Sequence, residues 1–542
     1  MQGPLTPSTC LALFLACTLV GCRSAVEYRI EADEDAYSLV QRRRAELFDE
    51  HGEFDIDPPE NSLRQQVLDE EVQVLDGLTL VQCLDIAAEN NREFLTRKES
   101  LYLSALDVAL ERFQVGWVPA AGADAAVSGT GTVAEVQGGG AFFSVDRILQ
   151  TGGQILADIG LAMTRDLANG QGWQATSNLS MLFTQPLLRG RGRLILFENL
   201  TQPERNLVYE VRSFERFRRE LAVDVIAQLL GLYLDSRVIR NEELNYANVV
   251  SVRERNEALA EAGRLSDIQV DQARQNELSS EDRLIRARQR FQDSKDSFKL
   301  FLGLPMELDF SVSEGELDEL AALELPDETV PSEVAIGLAY DLRPDFQTVV
   351  DRVVDAERKS RIAAEALKLG LDITSSVVAG SEPGKPLKYN FADVGWSLGL
   401  VLDIPVDPVP QRNRYRETLI TWQRAIRAAE LEQDSIAQTL RNELRQVLAR
   451  KESREIQSNA VRLAETRVES ANLNLQAGRA STRDLLEAQE ALVSSLNLET
   501  VALRDYVLAR LDLALDMGIL RVDEGGIRID RAPLEEALAG AE

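Results

Sequence analysis

The sequence predicts a mainly α-helical protein of two related halves, each interrupted by a β segment. Three observations carry this. Ala262-Gly263-Arg264-Leu265-Ser266 and Ala477-Gly478-Arg479-Ala480-Ser481 align without a gap, each inside a long helix-forming run. Proline is absent between Pro203 and Pro305, and again between Pro410 and Pro533. Ahead of each run lie segments in which apolar and polar residues alternate with a period of two, the mark of a strand with one apolar face.

Each Ala-Gly-Arg stretch reads as a tight turn between two helices. Glycine suits the position after a helix, where a positive φ is needed, and serine or threonine suits the N-cap of the next. Asp484 and Glu487 fall in the first turns of the second return helix, where the helix dipole favours carboxylates. The two copies stand roughly 215 residues apart, too far for a solenoid repeat. A duplicated half-protein fits that spacing.

Composition narrows the class. The 542 residues carry 89 acidic and 59 basic side chains, a formal net charge of -30. Phosphate binding needs a basic surface, so nucleic acid is excluded as a partner. An acidic, solvated protein, or one lining an aqueous path for cations, fits. Beyond the N-terminus no apolar run reaches the roughly 18 residues of a membrane helix. Membrane attachment would therefore be by a β-barrel or a lipid anchor. His51 is the only histidine, and Cys83 is the only cysteine after Cys10, Cys17 and Cys22. With no His/Cys metal cluster, no histidine triad and no Gly-rich phosphate loop, the sequence predicts neither a cofactor nor an enzyme. Cys83 reads as a small core residue.

Residues 1–21 read as a secretory signal whose apolar part is Cys10 to Val20. Leu19-Val20-Gly21-Cys22 resembles a bacterial lipoprotein signal, with Cys22 the lipidated residue, although Met1 to Thr9 lacks Lys and Arg. Arg23, in place of an aspartate, points by the same resemblance to the outer membrane. An ordinary cleaved signal is the alternative. Residues 22–77 form a charged, extended or partly helical arm broken at Asp57-Pro58-Pro59-Glu60.

The first half, 78–304, opens with a helix that contains Cys83 to Phe94 and runs to about Gln114. Barrel strands are expected within about 121–187. Candidates are 121–136, 154–164 and 173–184; in the last, Trp173, Ala175, Leu179, Met181 and Phe183 alternate with polar residues. Lipid outside and water inside would require that pattern. Three candidates do not fit a simple hairpin, which makes one of them loop. A helix from about 200 to the tip at Gly263 would be roughly 90 Å long. An acidic linker, 305–332, follows. The second half, 333–520, repeats the order. Ala335 to Phe346 aligns with Cys83 to Phe94, strands are expected within 372–405, and a long helical hairpin turns at Gly478. Leu492, Leu496, Leu503, Val507 and Leu511 form a core-packing stripe. Residues 521–542 are a tail.

Several motifs in this order resemble the TolC-like outer membrane efflux protein family over residues 78 to 520. They are Arg343-Pro344-Asp345, Leu179 to Leu188 with its Gln-Pro-Leu-Leu, the run from Ala477-Gly478-Arg479 to Leu486-Glu487-Ala488-Gln489, and Tyr506, Leu511 and Gly518. The resemblance implies a homotrimer. Each chain would give four strands to a shared twelve-stranded barrel and its helices to a periplasmic α-helical tunnel. It implies a passive exit duct, opened by docking of a periplasmic adaptor and an inner-membrane pump. The adaptor would meet the tips at Gly263, Arg264, Ser266, Gly478, Arg479 and Ser481. Asp484 and Glu487 match the acidic rings that close the periplasmic end in family members; a solvated helix face is the alternative. The corresponding first-half residues, Gln269 and Gln272, are uncharged, and an arginine that locks the tip in some members is matched by Ala480, with Arg479 and Arg483 nearby. Efflux and type I protein secretion share such a duct. A coiled-coil envelope scaffold without a pore is the reading from another class, and the alternating strands argue against it.

Overall fold

The computed structural model describes residues 23–541 except 50–51, 58–61, 70, 131–132, 168–171, 314–324, 327–328, 383, 478 and 524–525. Cys22 and Gly478 lie outside the described residues.

The elements in order are α1 (Ala25–Phe48), α2 (Leu63–Leu68), β1 (Val74–Leu78), α3 (Leu80–Asn90), α4 (Arg92–Val115), β2 (Trp117–Thr130), β3 (Val133–Ile148), β4 (Gln154–Asp166), β5 (Gln174–Pro186), α5 (Arg193–Leu196), α6 (Glu198–Glu261), α7 (Asp267–Leu302), β6 (Asp309–Val312), α8 (Ser332–Leu342), α9 (Pro344–Glu365), β7 (Gly370–Glu382), β8 (Lys385–Tyr389), β9 (Gly395–Asp403), α10 (Val409–Gln476), α11 (Thr482–Asp516), β10 (Leu520–Asp523), β11 (Gly526–Ile529) and α12 (Ala532–Ala541). The long helices α6 and α10 have 64 and 68 residues. The chain divides into two compact units.

The first unit (residues 1–55, 100–211 and 351–427) holds the large sheet. Its long strands run in one antiparallel meander, β2-β3-β4-β5-β7-β9, and the short β8 pairs with the far end of β7. This corrects the expected four strands per chain. The first half supplies four long strands, not two. The candidates 154–164 and 173–184 are strands, and 121–136 covers parts of two, the end of β2 and the start of the Gly-rich β3 (Val133–Ile148). Glycine has poor strand propensity, so Gly138-Gly139-Gly140 carries no strand signal. The ladder explains its presence. A Cβ on Gly139 would lie 2.8 Å from the Asp124 carbonyl oxygen, and the Phe142 ring occupies the space over Gly122. In the same unit α1 docks on α4 through Tyr37 and Tyr102, whose ring centroids are 5.7 Å apart, and the Tyr102 hydroxyl donates to Asp33 at 2.6 Å.

The second unit (residues 56–99, 212–350 and 428–542) is helical, with a core of Ile226 and Leu230 from α6, Ile436 and Leu440 from α10, and Leu511 and Leu513 from α11. The duplication is visible here as a repeated elbow. The return helix α7 ends at Gly303 (φ +79°), where Gly303 N–H donates to Leu300 and Leu304 N–H to Lys299. The return helix α11 gives way to Gly518 (φ +80°), where Gly518 N–H donates to Leu515 and Ile519 N–H to Ala514. Both are the paired bonds of a glycine-terminated helix. Each glycine rests against the break between two helices. A Cβ on Gly303 would lie 2.0 Å from the Asn90 carbonyl oxygen, and one on Gly518 would lie 2.8 Å from Leu342 Cβ. Asn90 and Leu342 are equivalent residues of the aligned segments.

Neither elbow tolerates a side chain. Positive φ alone costs an L-residue about 1–2 kcal/mol, and the contact at Gly303 would force backbone to move. Gly303→Ala is expected to destabilise the helical unit by at least about 2 kcal/mol, and Gly518→Ala by a similar or smaller amount. Thermal loss of helical circular dichroism in detergent checks this; an unchanged midpoint would refute the elbow's role.

Candidate functional site

The sheet has two chemically distinct faces. Paired residues on neighbouring strands share a face, so the register assigns every side chain. One face carries Trp117, Ala121, Ala123 and Val127 from β2, then Ala141, Phe143 and Val145 from β3. It continues through Ile155, Ile159, Leu161 and Met163 of β4 and Leu179, Met181 and Phe183 of β5. Leu371, Ile373 and Val377 of β7 and Trp396, Leu398, Leu400 and Leu402 of β9 complete it. Trp396, Leu398 and Leu400 are 69–77% exposed, so nothing among the described residues covers them.

The opposite face is mixed and richer in polar groups, with Asp124, Ser144, Asp158, Thr176, Asn178, Ser180, Asp372, Thr374, Ser397 and Asp403 beside Phe142, Leu156, Leu182 and Val401. Among the described residues of the long strands, this face bears aspartates and no Lys or Arg. Arg189, just after β5, forms an ion pair with Asp403 at the end of β9. Followed across the ladder, Trp396 is in register with Pro119, two residues along from Trp117, and the Arg147 guanidinium lies 4.6 Å from the Trp117 ring centroid.

The helical tips lie in the second unit. Gly263 (φ +69°) ends α6, with Gly263 N–H donating to Ala260 and Arg264 N–H to Leu259, both at 2.8 Å. The second tip repeats the longer bond, Arg479 N–H to the Asn474 carbonyl at 2.8 Å. Ser266 caps α7 in a capping box with Gln269, and Ser481 caps α11 in one with Asp484. Val249, Val252, Leu485 and Leu486 form a small core behind the tips. A shallow pocket of about 140 Å³ brings Gln269 and Gln272 beside Thr482, Arg483 and Leu486.

Gly263, Arg264, Ser266, Arg479 and Ser481 are all exposed at these turns. Asp484 and Glu487 are exposed and one helical turn apart, but both carry local bonds. The Asp484 carboxylate accepts from the Ser481 backbone N–H at 2.8 Å and from its hydroxyl at 2.7 Å, which holds its pKa below the usual aspartate value. Glu487 accepts from Arg483 at 2.8 Å.

A buried charge network adjoins the second elbow. Asp516 lies 2.5 Å from Arg216 and 3.3 Å from Arg343, and Arg343 also holds Asp345 at 2.7 Å. The Arg-Pro-Asp motif thus ties the break between α8 and α9 to the end of α11. Burial raises the Asp516 carboxyl, but the Glu443 hydrogen bond and the two arginines together keep it below the ordinary value. Glu443 is pushed up to about 9, by burial first and by Asp516 next. It therefore carries the shared proton. Burial also raises Asp512 to about 6, with the Asp516 and Asp224 charges adding to it.

No protein-family model matches the sequence, and no curated protein matches it. Solved structures do. CusC, described in terms of transmembrane channel formation, is 13% identical, with a TM-score of 0.59 over 81% of this chain and 92% of its own. The CmeC outer membrane channel of Campylobacter jejuni is 11% identical, with a TM-score of 0.57 over 84% and 89%. The outer membrane protein VceC of Vibrio cholerae is 14% identical, with a TM-score of 0.58 over 81% and 96%. The chain has the fold of the TolC-like outer membrane channels.

Within that fold, sequence reasoning located both tips, the Arg343-Pro344-Asp345 motif and the strand face of β5 and β9. It missed Arg216, Asp516 and Glu443, which look like ordinary charged positions on amphipathic helices until the elbow brings them together. Among the described residues no group of His, Cys, Asp or Glu is arranged to hold a metal ion, and no helix is long and apolar enough to cross a membrane.

The proton on Glu443 sets a pH dependence. Its raised pKa contributes stability that is present in full below the unfolded value near 4.3 and is gone once pH passes about 9. Glu443→Gln is expected to leave stability at pH 7 unchanged or higher and to flatten the decline toward pH 9. Asp516→Asn leaves Arg216 and Arg343 without their shared anion and is expected to cost about 3 kcal/mol. Thermal melts from pH 5 to 9 compare the two variants.

Proposed function

We propose that this protein is the outer-membrane exit duct of an export system. The observation that carries the reading is the sheet: one face predominantly apolar across all its long strands, the other bearing most of the hydroxyls, amides and aspartates among a few apolar residues, in a chain with the channel fold. Such a sheet, with no second layer of strands to cover it, fits a wall with hydrocarbon on one face and water on the other. The duct is a passive homotrimer, because one chain's sheet leaves two open edges that lipid cannot satisfy. The paired long helices extend it into the periplasm. The tips, with Gly263, Arg264, Ser266, Gly478, Arg479 and Ser481, meet a periplasmic adaptor that links the duct to an inner-membrane pump. Cys22 is the lipid anchor. The acidic inner face and the net charge of -30 favour cations in the lumen over anions.

The first test is the mass of the detergent-extracted protein from fractionated outer membrane. A trimer that stays with this membrane is expected; a monomer in the soluble periplasmic fraction would refute the duct. If Cys22 is the anchor, Cys22→Ser abolishes acyl labelling, and persistent labelling would overturn that assignment.

Asp484 and Glu487 form the periplasmic gate in this reading, with three copies placing six carboxylates around the axis. Arg483 belongs to the same ring and neutralises part of it. Replacing both carboxylates with alanine is expected to raise single-channel conductance several-fold and weaken block by multivalent cations. Unchanged currents would remove the gate.

A further inference from the structure

We infer that each subunit lends six strands to the barrel wall rather than four, and that the seam between subunits pairs the free edge of β2 with the free edge of β9 in a second copy of this chain. Three copies then close an eighteen-stranded barrel. The inference rests on the exit-duct reading and adds to it the identity of the seam and the width of the pore.

A four-stranded contribution would require β4 to present an open edge to the neighbouring copy. That edge is occupied. β3 pairs with β4 without interruption from Val136↔Asp166 to Ile148↔Gln154. β2 pairs with β3 along its whole length, from Trp117↔Arg147 to Thr130↔Val133. Among the six long strands of this sheet, only β2 and β9 have a single ladder partner each; the short β8 continues the same side of β7 as β9.

The chemistry of the added hairpin also places it in the wall. Trp117, Pro119, Ala121, Ala123, Ala125 and Val127 lie on the same face as the apolar residues of β4 to β9, and Gly122, Asp124 and Ser128 lie on the polar one. A hairpin folded into the lumen as a plug would meet water on both faces and would need no such segregation. Barrel diameter grows roughly linearly with strand number, so this lumen is about 1.5-fold wider than that of a twelve-stranded barrel.

Face matching restricts the seam register. A one-residue slip would turn one edge's apolar residues into the lumen. Even-numbered β2 residues must therefore stand opposite odd-numbered β9 residues. The test pairs Ser397→Cys on β9 with Ala120→Cys, Asp124→Cys or Ala126→Cys on β2, in the full-length protein in its outer membrane. A short bismaleimide that spans diagonal neighbours bridges the register between them. Ser376→Cys with Ser397→Cys, whose hydroxyls are 2.8 Å apart within one chain, verifies that the reagent reaches β9.

The expected result is conversion of more than half of the protein to a covalent trimer by at least one pair, with none from the single-cysteine variants. An intact native trimer that gives no β2–β9 product overturns the six-stranded wall and leaves the duct standing. A product between Ser397→Cys and Asp158→Cys on β4 of another copy does the same and puts the seam at β4. Cross-linking that stops at a dimer overturns the count of eighteen. A protein absent from the outer membrane removes the duct and this inference together.

Discussion

A peptide N–H or C=O facing hydrocarbon has no water to bond, and a strand at the rim of a sheet exposes a row of them. In the proposed duct this constraint governs the strand-bearing unit. It explains why the glycine-rich segment between β2 and β4 is strand rather than loop. Once a polypeptide runs along a membrane wall, its backbone must join a ladder whatever its side chains prefer. It also explains why apolar and polar residues stay in phase from Trp117 of β2 to Leu402 of β9. The ladder fixes the phase, and the two solvents choose the residues.

The helical unit answers to a different demand. The return helices α7 and α11, packed along α6 and α10, are fixed at their far ends by the repeated elbow. Gly303 and Gly518 let the ends of the return helices touch backbone at Asn90 and Leu342. The two halves then diverge in how they secure the joint. Asn91 does it with neutral bonds, donating to the Phe301 carbonyl at 2.7 Å and accepting from the Phe94 N–H at 2.9 Å. At the equivalent position Arg343 uses charge, through Asp345 and Asp516. Burying that many charges requires one carboxyl to stay protonated, and Glu443 does so.

The sequence made the helical architecture legible because its signals are local. Gly263 and Ser266 specify a stop and a start within four residues, and the bonds seen at Leu259 and Ala260 are the ones that such a turn uses. Strands β5 and β9 were legible because bulky side chains mark the period. β3 was not, since the property that makes Gly138 to Gly140 fit is closeness to Asp124 and Leu161, which are distant in sequence. At the tips, the types of Asp484 and Glu487 were readable, but the bonds from Ser481 and Arg483 depend on rotamers that sequence does not reveal.

The turn between β3 and β4 is compact, closed by Leu149 N–H to the Gly153 carbonyl and Gly152 N–H to the Leu149 carbonyl. It returns the chain to the end of the sheet from which β2 set out. In the proposed duct, added strands must therefore come in pairs, because a single one would leave α6 starting on the wrong side of the membrane. Pore width in such a protein can change only in steps of one hairpin per subunit. Symmetry multiplies each step, so a lineage acquiring one short insertion would move between discrete bore sizes with nothing in between.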